Sequence, residues 1–288
     1  MSDVADEGNG RLEGHGILAK LSWGLQSEPG PVRASNEDFA DVYAPTVPDD
    51  AWDRGPLFVV GDGMGGHAAG EVASRLAVTT ALSTWTNGNA SPPQQALRVA
   101  VRNANTAVYD ASLTPGQAGM GTTITALTLA GREAFVGHVG DSRCYRVRAG
   151  RVEQLTTDHS RVAEMVRMRL ISPEQAASHP ARSMLTRSLG GDIGVQIDIT
   201  RHELLRDDTF VLCSDGLWDV ISNAELAEDI SVLTAGAGVT PVPVVKQLVG
   251  RAVRRGAPDN VTAVVVHVTT DLPIPAAIGR RSLFRRGR

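Results

Sequence analysis

Cysteine is scarce in this chain of 288 residues, which contains only Cys144 and Cys213. Two cysteines are too few for a disulfide scaffold or for a structural zinc site with four cysteine ligands. Thiolate chemistry on a phosphate is excluded too, because it needs an arginine six residues after the cysteine, where Gly150 and Asp219 stand. The G-x-S-x-G and H-E-x-x-H motifs are also absent. Acidic residues are therefore the main candidates for chemistry.

Long apolar runs and a strong charge imbalance are missing as well. No run approaches the roughly 18 apolar residues of a membrane helix, and the acidic N-terminus lacks the pattern of a signal peptide. The net charge of −4 does not favour nucleic-acid binding. With 42% hydrophobic and 21% charged residues, the composition is that of an ordinary globular protein. We therefore expect a cytoplasmic monomer with no membrane span and no nucleic-acid partner.

Three segments are expected along the chain. The sequence predicts a disordered acidic leader over residues 1–16, one globular catalytic domain over residues 17–270 and a basic tail over residues 271–288. The tail carries five arginines, one aspartate and two prolines, and such a composition predicts disorder. Weak contact with an acidic surface, a lipid or a nucleic acid is an alternative role for this tail.

Strand and helix patterns occur in clusters and not as a β-α-β repeat. Short β-branched runs predict hairpins over residues 121–139 and 144–155. Helical periodicity predicts one helix pair over residues 68–112 and another over residues 223–254. Short helical signals over residues 160–191 interrupt the strands and predict an inserted lobe. Clustered strands with paired helices favour an α+β layered sandwich.

Four aspartates end apolar runs or stand beside a glycine: Asp62, Asp141, Asp215 and Asp259. Any one of them could cap a helix or form an Asx-turn. If the strands are neighbours, however, the carboxylates converge, and charges about 4 Å apart repel by roughly 4 kcal/mol at an effective dielectric near 20. Cations make such a cluster tolerable, and all-oxygen sites prefer Mg²⁺ or Mn²⁺ to zinc. Two such ions bridged by one carboxylate are a common device for attack on phosphorus.

The glycine-rich loop at residues 61–66 offers a competing interpretation. It matches G-x-G-x-x-G between a strand and a helix, the pattern of a dinucleotide site. Asp62 would place a negative charge beside the pyrophosphate, and residues 83–90 contain no acid that could bind a ribose hydroxyl. The dinucleotide interpretation is therefore disfavoured.

Seven short segments, in order along the chain, resemble the motif series of the metal-dependent serine/threonine protein phosphatases of type 2C. They are RASNED at 33–38, VGDGMGGH at 60–67, GTT at 121–123, VGDSR at 139–143, LTTDHS at 155–160, CSDGLWD at 213–219 and DNVT at 259–262. Residues 179–190 are similar to the flap of bacterial members. The resemblance covers residues 17–268, nearly the whole chain.

This resemblance implies a four-layer α-β-β-α sandwich, with two central antiparallel sheets, flanking helix pairs and a small flap over about residues 160–191. It also implies hydrolysis of phosphoserine and phosphothreonine in phosphorylated proteins by direct attack of a metal-bridging hydroxide, opposing eukaryotic-type Ser/Thr protein kinases. Two alternatives stay open. One is a stress- or sporulation-type regulatory phosphatase that acts on an anti-anti-sigma protein, and the other is a non-catalytic phosphoprotein-binding module.

The same resemblance implies two Mn²⁺ or Mg²⁺ ions in the active site. Carried over to this chain, Asp62 bridges the two ions and is catalytic. Asp215 and Asp259 complete the ligands of one ion, whereas Glu37 and the Gly63 carbonyl bind the other.

Further positions follow from the resemblance. Asp38 supports the waters at the metal centre, and Arg33 is the catalytic residue that binds the substrate phosphate, a task suited to its planar fork of donors. Asp141, with Asp215 or Asp219, corresponds to a third and weaker metal position. Judged from the residues alone, Arg33 could form a surface salt bridge and Asp219 could charge the start of the next helix.

One departure from the family concerns the general acid. Met64 stands where many eukaryotic relatives carry a histidine after Asp-Gly. His67 lies at the start of a predicted helix, where the helix dipole disfavours its protonated form. We therefore assign no acid role to His67, and a metal-bound water is expected to protonate the leaving alkoxide. His159 is expected to be structural and lies outside the predicted site.

Overall fold

The computed structural model describes residues 4–6, 10–18, 20–45, 55–65, 69–88, 92–235 and 239–269. The strands are β1 Val4–Asp6, β2 Leu12–Leu18, β3 Leu21–Glu28, β4 Asp38–Tyr43, β5 Leu57–Met64, β6 Gly121–Thr122, β7 Ile124–Ala130, β8 Glu133–Val139, β9 Arg143–Arg148, β10 Arg151–Gln154, β11 Asp198–Glu203, β12 Thr209–Cys213 and β13 Val261–Val268. The helices are α1 Ala69–Asn87, α2 Pro93–Ser112, α3 Arg161–Arg167, α4 Pro173–Ala177, α5 Asp215–Trp218, α6 Asn223–Ala235 and α7 Pro241–Arg254.

Two antiparallel sheets form the centre of the fold. One has the strand order β1-β2-β3-β13-β12-β9-β10, and the other has the order β11-β8-β7-β5-β4, with β6 paired to the end of β5. Their facing sides share one apolar core, in which Trp23 and Phe58 meet edge to face at 6.3 Å between ring centroids. Alternate residues of facing sheets interdigitate in this way in sandwich folds.

Helices cover the outer face of each sheet. Ala73, Ala77 and Ala81 of α1 are fully buried, so this helix lies close against the sheet that contains β5. On the other side, Val244 and Leu248 of α7 pack in a second core with side chains of β12 and β13. The predicted α+β four-layer sandwich is thereby confirmed.

The N-terminal boundary differs from the prediction of a disordered leader over residues 1–16. Residues 12–18 form β2, which pairs along its length with β3, and β1 pairs with β2. Leu12 is buried, and a Cβ atom at Gly16 would lie 2.5 Å from Nε1 of Trp23. The acidic and glycine-rich composition of this segment does not indicate a strand, because the strand is stabilised by its packing against the Trp23 indole. The predicted tail over residues 271–288 lies outside the described residues.

The predicted insert contains α3 and α4, and each helix has a serine as its N-cap. Ser160 Oγ accepts a hydrogen bond from the Ala163 N–H at 3.3 Å, and Ser172 forms a capping box with Gln175. Neither helix has a buried residue. The flap is therefore held at its base, where residues 160 and 185 and residues 122 and 189 form β-bridges. None of the described helices is both long and apolar enough to cross a membrane.

Candidate active site

Strand ends bring the predicted aspartates to one end of the sandwich. Asp38 at the start of β4 lies opposite Asp62 on β5. Asp215 follows β12 and Asp259 precedes β13, and these two strands are paired. Asp141 follows β8 at the same end, and the charges of all four other aspartates act on Asp62. The structure thus brings together acids that are up to 221 residues apart in the chain, as 38 and 259 are.

Burial and mutual repulsion raise the pKa values of these carboxyl groups. The pKa of Asp62 is raised well above its usual range, first by burial and then by the charges of its acidic neighbours. The same causes raise the pKa of Asp38 to about 7 and that of Asp215 to about 8. The pKa of Asp141 rises to about 6, again mainly through burial. Carboxylates in this state gain from a nearby cation, since it favours their ionised form.

The Asp38 carboxylate is fixed by two hydroxyl groups from the other sheet. Its Oδ2 accepts hydrogen bonds from Ser214 Oγ at 2.7 Å and from Thr262 Oγ1 at 2.6 Å. All three side chains are buried. Asp38 therefore ties β4 to β12 and β13 and sets the spacing between the two sheets at the site.

The glycine-rich loop allows close approach of three backbone segments. The Gly63 N–H donates to the Glu37 carbonyl at 3.1 Å, and the Glu37 N–H donates to Asn260 Oδ1 at 2.8 Å. A Cβ atom on Gly63 would lie 2.1 Å from the Gly70 carbonyl oxygen, and one on Gly70 would lie 2.8 Å from Glu37 Oε2. Glycine is required here so that β5, α1 and the Glu37 carboxylate can be packed together. Residues 66–68, including His67, lie outside the described part of the chain.

Arg33 stands at the edge of the acidic cluster. Its side chain is 51% exposed, and Nη2 lies 2.6 Å from Asp259 Oδ2. Glu37 and Asp215 are also close enough for their charges to act on the guanidinium group. Arg33 therefore does form a salt bridge, but its partner is an aspartate of the acidic cluster and not a residue elsewhere on the surface.

Asp141 and Asp219 lie beside Asp215 and connect the site to the flap. The charges of Asp141 and Asp219 both raise the pKa of Asp215. Asp219 also forms an ion pair with Arg182 of the flap, at 3.3 Å between Nη1 and Oδ2. No sequence pattern predicts this contact, because Arg182 is distant in the chain and lies in an exposed segment.

His159 anchors the loop before Asp141. The backbone N–H of Gly140 donates to the ring nitrogen Nδ1 of His159 at 3.1 Å. The backbone N–H of His159 donates to the Gly140 carbonyl at 2.7 Å. Because Nδ1 accepts a hydrogen bond, the proton of the neutral ring is on Nε2, which donates to Asp198 Oδ2 at 3.1 Å. Arg187 of the flap binds the same carboxylate at 3.0 Å. His159 therefore connects the loop before Asp141 to the flap base.

The oxygen atoms available at the site are of the kind that bind a hard divalent cation. In the part of the chain that the structure describes, no three or more Asp, Glu, His or Cys side chains are arranged closely enough to hold a metal ion as they stand. The carboxylates are electrostatic neighbours whose pKa values rise through burial and repulsion, and the donors are all oxygen atoms. This chemistry fits Mg²⁺ or Mn²⁺.

Neither cysteine is suited to act as a nucleophile. Cys144 and Cys213 are completely buried and unpaired. Burial raises the pKa of both thiols, that of Cys213 to about 12. A thiolate nucleophile is therefore not available at neutral pH, as the sequence predicted.

Comparison with known proteins relates this geometry to a family. The profile described as Protein phosphatase 2C matches residues 32–261. The serine/threonine protein phosphatase PstP of Mycobacterium tuberculosis is 37% identical over 253 residues, which are 88% of this chain and 46% of PstP. The chain thus spans about half the length of that relative. A putative protein phosphatase 2C-type of Streptococcus pyogenes is 34% identical over 246 residues and is covered to 96%.

A solved structure of a phosphatase is similar to this chain in sequence and in fold. It is the catalytic domain of a serine/threonine protein phosphatase PstP in complex with two manganese ions. It is 34% identical to this chain, with a TM-score of 0.74, and the match covers 87% of this chain and 99% of that one. The similarity therefore extends through both sheets and both helix layers.

Proposed function

The chain belongs to the protein phosphatase 2C family, and from that premise we propose that it removes phosphate from phosphoserine and phosphothreonine in proteins. The observation that carries the proposal is the convergence of five aspartates at one end of the sandwich, with Arg33 at their edge. The name of the M. tuberculosis relative, a serine/threonine protein phosphatase, supports the same activity.

We propose that the site holds two Mn²⁺ or Mg²⁺ ions, as the PstP structure holds two manganese ions. Asp62 is shared between them, Asp215 and Asp259 complete one set of ligands, and Glu37 with the Gly63 carbonyl completes the other. Bound ions of this kind activate water near neutral pH and stabilise the charge on a phosphate. A third and weaker position is proposed at Asp141, Asp215 and Asp219.

The chain's own residues have separate tasks in this proposal. Arg33 leaves Asp259 and binds the phosphate oxygens with its fork of donors, which orients the phosphorus toward the acidic cluster. Asp38 keeps its place through Ser214 and Thr262 and accepts a hydrogen bond from water beside the phosphate. Water attacks phosphorus directly, the bond to the seryl or threonyl oxygen breaks, and that oxygen takes up a proton.

We propose that the protein opposes Ser/Thr kinases, which would be among its phosphorylated partners. The flap over residues 160–191 supports this choice over an enzyme that acts on an anti-anti-sigma protein, because enzymes of that kind commonly lack the flap. Incubation with an autophosphorylated kinase of eukaryotic type should release phosphate from the kinase. Release from a phosphorylated anti-anti-sigma protein alone would favour the regulatory phosphatase. A cytoplasmic location and a monomeric state stay predictions.

The activity itself is tested with a phosphothreonine peptide and with p-nitrophenyl phosphate. We expect hydrolysis of both in Mn²⁺, loss of hydrolysis in excess chelator and recovery when Mn²⁺ is restored. Binding of the peptide without turnover at saturating Mn²⁺ would contradict the proposal and would indicate a phosphoprotein-binding module.

Replacement of Arg33 by alanine is expected to lower kcat/KM for the phosphothreonine peptide by about 10–100-fold, because a charged hydrogen bond to phosphate contributes about 1.5–3 kcal/mol. Arg33→Lys should recover only part of the loss, since an ammonium group cannot bind two oxygens in a plane. Arg206→Ala is a matched control, because this exposed arginine lies before β12, at the opposite end of the strand from the site. Equal kcat/KM for Arg33→Ala and Arg206→Ala would exclude Arg33 as the phosphate ligand.

A further inference from the structure

Trp218 links two parts of the site that are distant in the chain. It is the last residue of α5, the helix that begins at Asp215, and Asp219 follows directly as the C-cap. Its indole Nε1 donates a hydrogen bond to the backbone carbonyl of Asp141 at 3.1 Å. One side chain therefore connects the helix that carries two of the acids with the loop that carries the third.

This connection acts where the carboxylates repel each other. Trp218 lies between Asp215 and Asp219 in the chain, so the bond from its indole to the Asp141 carbonyl keeps the three acidic residues in one region. Repulsion favours separation of the Asp141 loop from α5. The indole bonds the backbone of Asp141 and not its carboxylate, so the carboxylate oxygens stay available as ligands.

The indole is itself held in place. The Arg143 guanidinium carbon lies 3.6 Å from the centroid of the Trp218 ring, a cation–π contact. Arg143 Nη2 binds Asp158 at 2.6 Å, and its Nη1 donates to the Tyr145 hydroxyl at 2.9 Å. The contacts of Arg143 with Asp158 and Tyr145 thus hold the guanidinium group, and the indole ring beneath it, in one position.

We propose that Trp218 is a positioning residue, whose indole N–H holds Asp141 against Asp215 and Asp219 so that these carboxylates together bind a divalent cation. The inference rests on the proposed function, since it assigns a support to the third and weaker metal position of that site. It predicts that loss of the N–H alone weakens this position and leaves the pair of ions around Asp62 unchanged.

Trp218→Phe tests this, because it keeps an aromatic face under Arg143 and removes only the donor and one ring. Trp85→Phe is the matched control, since the Trp85 indole donates to the Gly55 carbonyl at 3.3 Å, at the far end of β5 from the site. The readout is the free Mn²⁺ signal in electron paramagnetic resonance during a titration, which counts bound ions without any turnover. For Trp218→Phe we expect the weakest class of Mn²⁺ sites to bind about 3–10-fold less tightly, as the loss of one hydrogen bond predicts. The tight sites and the Trp85→Phe protein should match the wild type, whereas equal weak-site affinity in all three proteins overturns the proposal.

A double-mutant cycle with Asp141→Asn separates a positioning role from general stabilisation. If Trp218 acts through Asp141, Asp141→Asn lowers the Mn²⁺ affinity of the weak class, and Trp218→Phe added to it causes no further loss of that affinity. Further loss in the double variant, equal to that in the single one, contradicts the proposal.

The wild-type protein offers a test that does not depend on the folding of a variant. The indole ¹H–¹⁵N resonance of Trp218 should shift at the Mg²⁺ concentrations that fill the weak class, while the resonance of Trp85 stays in place. A Trp218 resonance that does not respond overturns the inference. If the wild type hydrolyses no phosphopeptide, the proposed function fails whatever the Mn²⁺ data show; if it is active and Trp218→Phe binds Mn²⁺ normally, only this inference fails.

Discussion

Asp62→Asn is expected to reduce kcat/KM for a phosphothreonine peptide by at least about 100-fold and, in chelator, to raise the melting temperature by about 2–6 °C. The loss of activity follows because the shared carboxylate of the metal centre is removed, and even supporting residues of metal sites account for 10–100-fold. The gain in stability follows because Asp62 is buried beside other acids, and burial first and their charges second raise its pKa well above the usual range. A neutral amide of the same shape avoids that repulsion. In a domain of this size, a gain of about 1–2 kcal/mol in the free energy of unfolding corresponds to the expected rise in melting temperature.

The two effects are measured on the same preparations, by steady-state hydrolysis in Mn²⁺ and by differential scanning calorimetry in chelator at pH 8.5. Asp110→Asn is the control, because Asp110 is exposed on α2 and lies outside the acidic cluster. It should change neither quantity. If Asp62→Asn lowered activity and melting temperature together, the residue would be a simple structural support and not a member of a repelling metal site.

The stability of the metal-free protein is expected to fall as the pH rises from 6.5 to 8.5, by on the order of 5 °C in melting temperature. Burial and neighbouring acids raise the pKa of Asp38 to about 7 and that of Asp215 to about 8, so the folded state holds protons that the unfolded state has already released. Where the folded state binds more protons, the free energy of unfolding decreases with pH. Buried histidines such as His138, whose pKa burial lowers to about 4, act in the opposite sense, but only below about pH 6.5.

Mn²⁺ should reverse this trend. An ion that binds only the folded state stabilises it, and it competes with protons for the same carboxylates, so its effect should be larger at pH 8.5 than at pH 6.5. Melting curves at the two pH values, with chelator and with Mn²⁺, give the four temperatures that are needed. A metal-free protein whose melting temperature is constant or increases over this range would contradict the raised pKa values of the cluster.

The position of several acids at strand ends could be predicted because it depends on local patterns. An apolar run followed by aspartate and glycine indicates a strand that ends in a carboxylate, and this pattern located Asp62 and Asp215. Clusters of strands between two helix pairs likewise predicted the layered fold. What the pattern at Asp62 did not reveal is why its loop is glycine-rich: the reason is close packing against Gly70 and the Glu37 carboxylate.

Features that depend on distant contacts were missed. Residues 12–18 look like an acidic leader, yet they form a strand because Leu12 is buried in the core and Gly16 lies against Trp23. The ion pair between Arg182 and Asp219 and the bond from Trp218 to Asp141 join segments that are 37 and 77 residues apart. No local periodicity reports such contacts. For the bond from Trp218, the one indication in the sequence was that this tryptophan directly precedes Asp219, a predicted metal ligand.

Anomalous diffraction from crystals soaked in Mn²⁺ shows directly which residues of this protein hold the ions. We expect two strong peaks that share Asp62, one also contacted by Asp215 and Asp259 and the other by Glu37 and the Gly63 carbonyl. Strong peaks elsewhere on the molecule, with no ion in contact with Asp62 at saturating Mn²⁺, would contradict the proposed metal site.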